Sequence, residues 1–241
     1  VTAVFLWAHP RSLSTAFLRM MLERGDFLVV HEPLSSIVVQ GYAIVDGEKV
    51  GTPAELLDLI EQLSAVQQVF VKETTEYLYD VVADPRLPRL ATHSFIIRHP
   101  ARAIASHYAM NPLLTCHEIG YRHQLEIFDL LRRGAAGPLP VIEAERLLDD
   151  PHRTVRAYCR AVGIPFLPQA LTWQPSERRE WSRTAPWHRD AARSTGFRAP
   201  DRHYAQTVDN NPVLADFYRY HLPFYERLRA HSLGGRHAEP L

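Results

Sequence analysis

Hydrophobic positions recur along this chain with two periods, and the switches between them divide it into strands and helices. Val4-Phe5-Leu6-Trp7-Ala8 is an apolar run short enough for a buried strand, while Ala16 to Gly25 carries Phe17, Leu18, Met21 and Leu22 on one helical face before a glycine stop. Between them lies a turn of basic and hydroxyl residues, His9-Pro10-Arg11-Ser12-Leu13-Ser14-Thr15. Phe27 to His31 predicts a second strand, stopped at Glu32-Pro33 because a proline biases the residue before it to an extended conformation. Residues 34–51 read as irregular, with Asp46-Gly47 as a hairpin turn between Tyr42-Ala43-Ile44-Val45 and Lys49-Val50. Thr52-Pro53-Ala54-Glu55 is a capping box that opens a helix with Leu56, Leu57, Leu59, Ile60 and Leu63 on its apolar face.

The same alternation continues. Gln68 to Glu73 predicts a buried strand with Lys72 near its carboxyl end, followed by a helix from about Thr75 to Ala83. Phe95 to Ile97 predicts a strand ending at Arg98, with Pro100 as the first residue of the next helix. An amphipathic helix spans Arg122 to Arg133, a fifth strand Leu139 to Glu143, and a helix with Val155, Tyr158, Cys159 and Val162 inward ends at Gly163-Ile164-Pro165. Residues 167–203 are polar but hold Trp173, Trp181 and Trp187, the pattern of a lid or of a surface segment. Asn211 to Arg229 predicts a closing helix broken or offset by Pro223, and the tail 232–241 reads as disordered. Strands alternating with helices make residues 1–241 a single α/β domain with a central, mostly parallel sheet of about five strands, covered on its binding edge by residues 34–51, 110–117 and 170–200.

Composition narrows the chemistry. At 241 residues one core needs no disulfide or metal staple. The 27 basic and 27 acidic residues cancel, so there is no global field of the kind that marks a nucleic-acid binder. The 13 histidines are scattered without metal-ligand spacing, which predicts no metal site. Cys116 and Cys159 are too few for a disulfide framework and fit a reducing compartment. No leader-like segment precedes the first strand and no apolar run reaches 18 residues, so the expectation is a cytoplasmic protein without a membrane partner.

Candidate chemistry lies at strand ends. Arg11, Ser12, Ser14 and Thr15 stand at a helix N-terminus, where unpaired N–H groups favour an anion. The loop lacks the glycine and lysine of G-x-x-x-x-G-K-[ST], which disfavours a nucleoside triphosphatase. Arg98 and Ser106 clamp one anion only if their helix packs back across the strand end. Glu32 and Lys72 fall on the carboxyl edge of the sheet, where open α/β folds bind ligands.

Two motifs together resemble those of the PAPS-dependent sulfotransferase family, and specifically its bacterial small-molecule subgroup. Pro-Arg-Ser-Leu-Ser-Thr is similar to the family's 5′-phosphosulfate loop P-[KR]-S-G-[ST]-T, and R-x-P-x-x-x-x-x-S from Arg98 to Ser106 to its 3′-phosphate signature. The tryptophan-rich stretch ending in Ser194-Thr195-Gly196-Phe197 is similar to that subgroup as well. The resemblance implies a P-loop-like three-layer fold. It also implies 3′-phosphoadenosine 5′-phosphosulfate (PAPS) as donor, adenosine 3′,5′-bisphosphate (PAP) as product, and a small-molecule hydroxyl or amine as acceptor. Arg11, Ser12, Leu13, Ser14 and Thr15 would hold the 5′ end, with Arg11 stabilising the leaving phosphate and Lys72 contacting the transferring group. Arg98 and Ser106 would hold the 3′-phosphate, and Arg193, Ser194, Thr195, Gly196 and Phe197 would close over it. Glu32 would be the general base, with His31 as rival, since neighbours on a strand point to opposite faces and only one faces the loop.

The chain departs from the family pattern at two positions. Leu13 stands at the usual loop glycine, and a leucine does not readily take a positive φ. Ala16 stands where many members stack a tryptophan on adenine, which leaves that surface to Phe197 or to none. An ATP-dependent P-loop kinase and a nucleotide-binding regulator without turnover are the alternative functions, and the aromatic lid would suit a homodimer.

Overall fold

A computed structural model of the chain describes residues 3–135, 137–177, 185–198 and 203–234. Its centre is β1 (Ala3–Ala8), buried along its whole length. Ala3, Phe5 and Trp7 enter one apolar cluster and Val4, Leu6 and Ala8 the other, because successive side chains leave a strand on opposite faces. A strand covered on both sides must be apolar throughout, which explains the unbroken run. β5 (Val69–Thr74) and β6 (Thr92–Ile97) flank β1 in parallel, with β2 (Leu28–His31) outside β5 and β7 (Val141–Glu143) outside β6. The five-stranded order β2-β5-β1-β6-β7 places connections on either side of β1, so a crevice opens at its carboxyl end.

Helices cover both faces. α3 (Pro53–Val66), α5 (Pro100–Tyr108), α6 (Tyr121–Gly134) and α10 (Pro212–Arg229) pack on the Phe5–Trp7 side. α1 (Ser14–Arg24) and α8 (Pro151–Val162) pack on the Leu6 side, where Cys159 is a core residue. Each large side chain fully withdrawn from water contributes about 1.5–3 kcal/mol. Among the described residues no helix is long and apolar enough to cross a membrane.

The predicted strands and the capping box at Thr52 are present, as is the hairpin of β3 (Ala43–Val45) and β4 (Glu48–Val50), whose turn has positive φ at Asp46 and Gly47. Four expectations are corrected. Residues 34–40 are not irregular but belong to α2 (Pro33–Gln40), which survives its β-branched residues because the Glu73 carboxylate accepts from Leu34 N (2.7 Å) and Ser35 N (3.4 Å). No helix follows β5 directly: the Tyr79 hydroxyl donates to Thr74 O (2.8 Å) and pins a bend over residues 75–77 ahead of a 3₁₀ turn at Asp80–Ala83. α10 runs through Pro223 unbroken, since the carbonyl freed four residues earlier belongs to exposed Arg219 and the inward face, with Leu214, Tyr225 and Leu228, stays packed. The tail is ordered at least through its first residues, where Leu233 N donates to Val141 O (2.9 Å) beside β7; residues 235–241 lie outside the described residues.

Candidate active site

The loop after β1 turns through left-handed backbone without a glycine. Arg11 has φ 65° and Leu13, immediately before α1, φ 71°. Leucine was not expected to take that region; each such residue costs about 1–2 kcal/mol, a strain typical of functional sites. Buried hydrogen bonds hold the loop in place. His9 is fully buried, donates through Nδ1 to Pro10 O (2.8 Å) and accepts Arg98 N–H at Nε2 (3.0 Å). One ring nitrogen donates and the other accepts, so the imidazole is neutral, and burial pushes its pKa down to about 3. It stacks on Tyr121 (3.9 Å between ring centres), whose hydroxyl donates to Arg98 O. Gln124 donates to Trp7 O (3.0 Å) and Ile96 O (2.9 Å), bridging β1 and β6. Gly120, at φ +84°, starts α6 so close that a Cβ would lie 2.7 Å from Thr75 O and 3.1 Å from Pro10. The loop after β1 and the strand end at Arg98 are thus bolted together by groups outside both sequence motifs.

α5 packs back across the strand end, as the clamp requires: Arg11 Nε donates to Ser106 Oγ (3.0 Å) and the Arg98 guanidinium to Arg11 O (3.2 Å). Arg98 is buried, its Nε has no partner, and no carboxylate pairs with it among the described residues. Burial holds its pKa below the ordinary arginine value. A guanidinium withdrawn from water without a counterion is a strong site for an anion. The buried Ser12 hydroxyl is likewise unpartnered. These groups, with Leu13, Ser14, Thr15, Arg193, Ser194, Thr195 and Gly196, line a cavity of about 680 Å³. Its size suits a small-molecule site. The unpartnered Arg98 Nε and Ser12 hydroxyl at one end, beside Arg11 and Ser106, are a donor set that a nucleotide phosphorylated at both ends would need.

Phe197 does not join them. It is buried against Phe17 and Trp173 on the Leu6 side of the sheet, so it offers no face to adenine. Trp173 is buried too, Trp187 lines the cavity, and Trp181 lies outside the described residues. Helix α9 (Ala185–Arg193) supplies contacts that the motifs did not reveal. Trp187 O accepts from Arg11 (2.9 Å), Asp190 lies 3.8 Å from the same guanidinium, and His188 Nδ1 hydrogen-bonds Thr15 Oγ1 (2.9 Å).

The β2–β5 end has a different character. Glu32 takes φ 49° as the residue preceding α2, so strand alternation fails there. Its carboxylate lines the cavity, hydrogen-bonds Lys72 and lies 3.8 Å from His31 Nε2. Burial raises the Glu32 pKa, but the Lys72 ammonium and His31 outweigh it and hold the group down at about 2. His31 is off the cavity wall, edge-on to His188, and burial lowers its pKa to about 4. Ser35, Val39, Thr74, Glu76 and Tyr77 complete this end. The cover from 34–51 therefore comes from α2, while Ala43, Val45 and Val50 of the hairpin face the core. Asn111 represents the 110–117 segment. Among the described residues no group of three or more His, Cys, Asp or Glu is arranged to hold a metal ion.

Comparison with known proteins agrees with this fold. A family model described as "Sulfotransferase domain" matches residues 2–232. The sulfotransferase domain of the Synechococcus PCC 7002 olefin synthase superposes with a TM-score of 0.54 at 16% identity, covering 95% of this chain and 94% of that one. The sulfotransferase domain from the curacin biosynthetic pathway gives 0.51 at 14% identity, covering 95% and 96%. A curated Arabidopsis thaliana relative, "Branched-chain-amino-acid aminotransferase-like protein 2", is 29% identical over 95% of this chain, which spans 41% of that relative's length.

Proposed function

The chain belongs to the sulfotransferase domain family, and from that premise we propose that it moves a sulfuryl group from PAPS to a hydroxyl or amine of a small molecule. The observation that carries this reading is the convergence of Arg11, Arg98 and Ser106 on one end of a cavity whose other end holds Glu32 and Lys72.

Arg98 and Ser106 would take the 3′-phosphate, and Arg11 with Ser12, Ser14 and Thr15 the 5′-phosphosulfate. In the transfer the bond from sulfur to the 5′-phosphate oxygen breaks and a bond from sulfur to the acceptor oxygen or nitrogen forms. The acceptor's proton passes to Glu32, and PAP leaves. Negative charge grows on the phosphate oxygen, where the permanent Arg11 guanidinium stabilises it. Glu32 is ionised at neutral pH and so able to accept a proton, but its Lys72 partner makes it a poor base at rest. Transfer of the Lys72 hydrogen bond to a sulfuryl oxygen would free the carboxylate and raise its basicity when needed. His31, away from the cavity wall, is the weaker candidate.

The test is thermal unfolding with PAP, and with AMP or ATP and Mg²⁺ as controls. PAP at about 100 times its dissociation constant adds about 2.7 kcal/mol, or roughly 5–10 °C for a chain of this size. No shift with PAP, or a larger one with ATP, overturns the donor assignment.

A further inference from the structure

The two ends of the cavity differ in the charge left over once internal pairs are formed. On the β1–β6 side the surplus is positive, since Arg98 has no carboxylate partner. On the β2–β5 side Lys72 is matched by Glu32, and the charge that remains is the carboxylate of Glu76. The Glu76 backbone is pinned: its N–H donates to Thr74 Oγ1 (3.3 Å) and its carbonyl takes a hydrogen bond from His123 Nδ1 (3.2 Å). No hydrogen-bond donor or cation holds its carboxylate among the described residues. A solvated loop glutamate would need no explanation, but this one is partly buried in the cavity wall. Burial, then Glu118 and Glu32, push its pKa up to about 7 against the opposing Lys72 ammonium, and a bound cation would add to that relief. Tyr77, next to it in the chain, and Val39 of α2, an apolar side chain 63% exposed, line the same cavity.

We infer that the acceptor is an amine-bearing molecule with an aromatic or apolar body, its ammonium paired with Glu76 and its body laid against Tyr77 and Val39. This rests on reading the cavity as a donor site continued by an acceptor site. A cation suits that place for a second reason: it is attracted to the face of a tyrosine ring as well as to the carboxylate. An acceptor carrying a carboxylate would instead meet the carboxylate of Glu76, and like charges at close range disfavour it.

Three phenols of one shape and different charge test this: tyramine, 4-ethylphenol and 3-(4-hydroxyphenyl)propionate, titrated calorimetrically at about pH 8 into the full chain with and without PAP. Tyramine should bind roughly tenfold tighter than 4-ethylphenol, and the propionate weakest. Glu76→Gln should bring tyramine and 4-ethylphenol to within about threefold, and Glu76→Lys should reverse the order of the two charged ligands. An order that survives Glu76→Gln, equal binding of the three, or no binding of any overturns the inference. The PAP-induced melting shift, read on the same samples, reports folding of the variants and keeps the two readings separate. In the unsubstituted chain, the absence of an amine preference with an intact PAP shift defeats only the acceptor class, and an amine preference without a PAP shift defeats only the donor assignment.

Discussion

The β1–β6 end and the β2–β5 end of the cavity are built by different physics. At the first, neutral buried hydrogen bonds from His9, Tyr121 and Gln124 fix the backbone, and the cations Arg11 and Arg98 are held ready for an anion. At the second, charge itself does the positioning. Lys72 fixes Glu32, and the buried Glu73 carboxylate, accepting from Leu34 N, Ser35 N and Thr74 N (2.9 Å), fixes the start of α2 just after it. Burial and Glu32 push Glu73 up to about 8, so this end holds a carboxylate kept near its protonation point. A rigid neutral frame suits an invariant group such as a phosphate, whereas a network of coupled charges can shift its protons and partners during a reaction.

Acid should break both ends at once, and this is the largest effect expected. His9 and His188 are held at about 3, and His31, His93, His107 and His221 at about 4, all by burial first. In the unfolded chain they titrate near 6.5, so below that pH the unfolded state binds more protons. Their contribution is complete above about pH 6.5 and is lost as pH falls toward 4. Glu73 and Glu76, raised to about 8 and 7, act in the opposite sense: their contribution is complete below about 4.5 and is lost as pH rises. Six histidines outweigh two carboxylates on the acid side, and on the alkaline side the carboxylates act first, ahead of Cys159, Tyr79, Tyr121 and Tyr158, whose pKa values burial also raises. Melting temperature should therefore peak near pH 6.5 and fall steeply below it. A flat profile between about pH 7 and 4.5 would mean that the buried imidazoles are charged in the native state.

Two substitutions should then separate the ends. Glu32→Gln keeps the shape but cannot take a proton, so kcat should fall roughly 10²–10⁴-fold while the PAP melting shift persists. Arg98→Met removes the buried cation and should weaken PAP by about 2–5 kcal/mol, abolishing the shift at ordinary ligand concentrations. Retained turnover in the first variant removes Glu32 as base. A retained shift in the second moves the 3′-phosphate site elsewhere.

The same contrast decides what could be read from the chain alone. The convergence of Arg11, Arg98 and Ser106 was legible because Arg11 to Thr15 and Arg98 to Ser106 are contiguous, and local spacing encodes where a strand end meets a helix start. The five strands were legible from apolar runs. His9 was not, although it directly precedes Pro10, because a lone histidine acquires a role only from a partner 89 residues away. α2 was missed since its helix is stabilised by Glu73, 39 residues distant from Leu34, against its own β-branched residues. Phe197 was misplaced because a loop motif does not tell which way its aromatic points, and here Phe17 and Trp173 claim it. Glu76 carries no motif at all, and only the pinned turn after β5 turns it into the cavity.

The smallest effect is the control on all of these. Thr52 caps α3 far from the cavity in sequence and chemistry: its Oγ1 accepts from Glu55 N (3.2 Å), and the Glu55 carboxylate accepts in return from Gly51 N (2.7 Å) and Thr52 N (3.3 Å). Thr52→Ala loses the side-chain acceptor and should cost about 1 kcal/mol, or roughly 2–4 °C of melting temperature. α3 still buries Leu56, Leu57 and Ile60 against the sheet, so the helix remains and only its first turn frays. If each end is held by its own local network, the PAP shift, the amine preference and kcat should all be unchanged in this variant. A change in any of them would mean that the face carrying α3 transmits strain through β1 and β5 to the site, and that neither end is positioned locally.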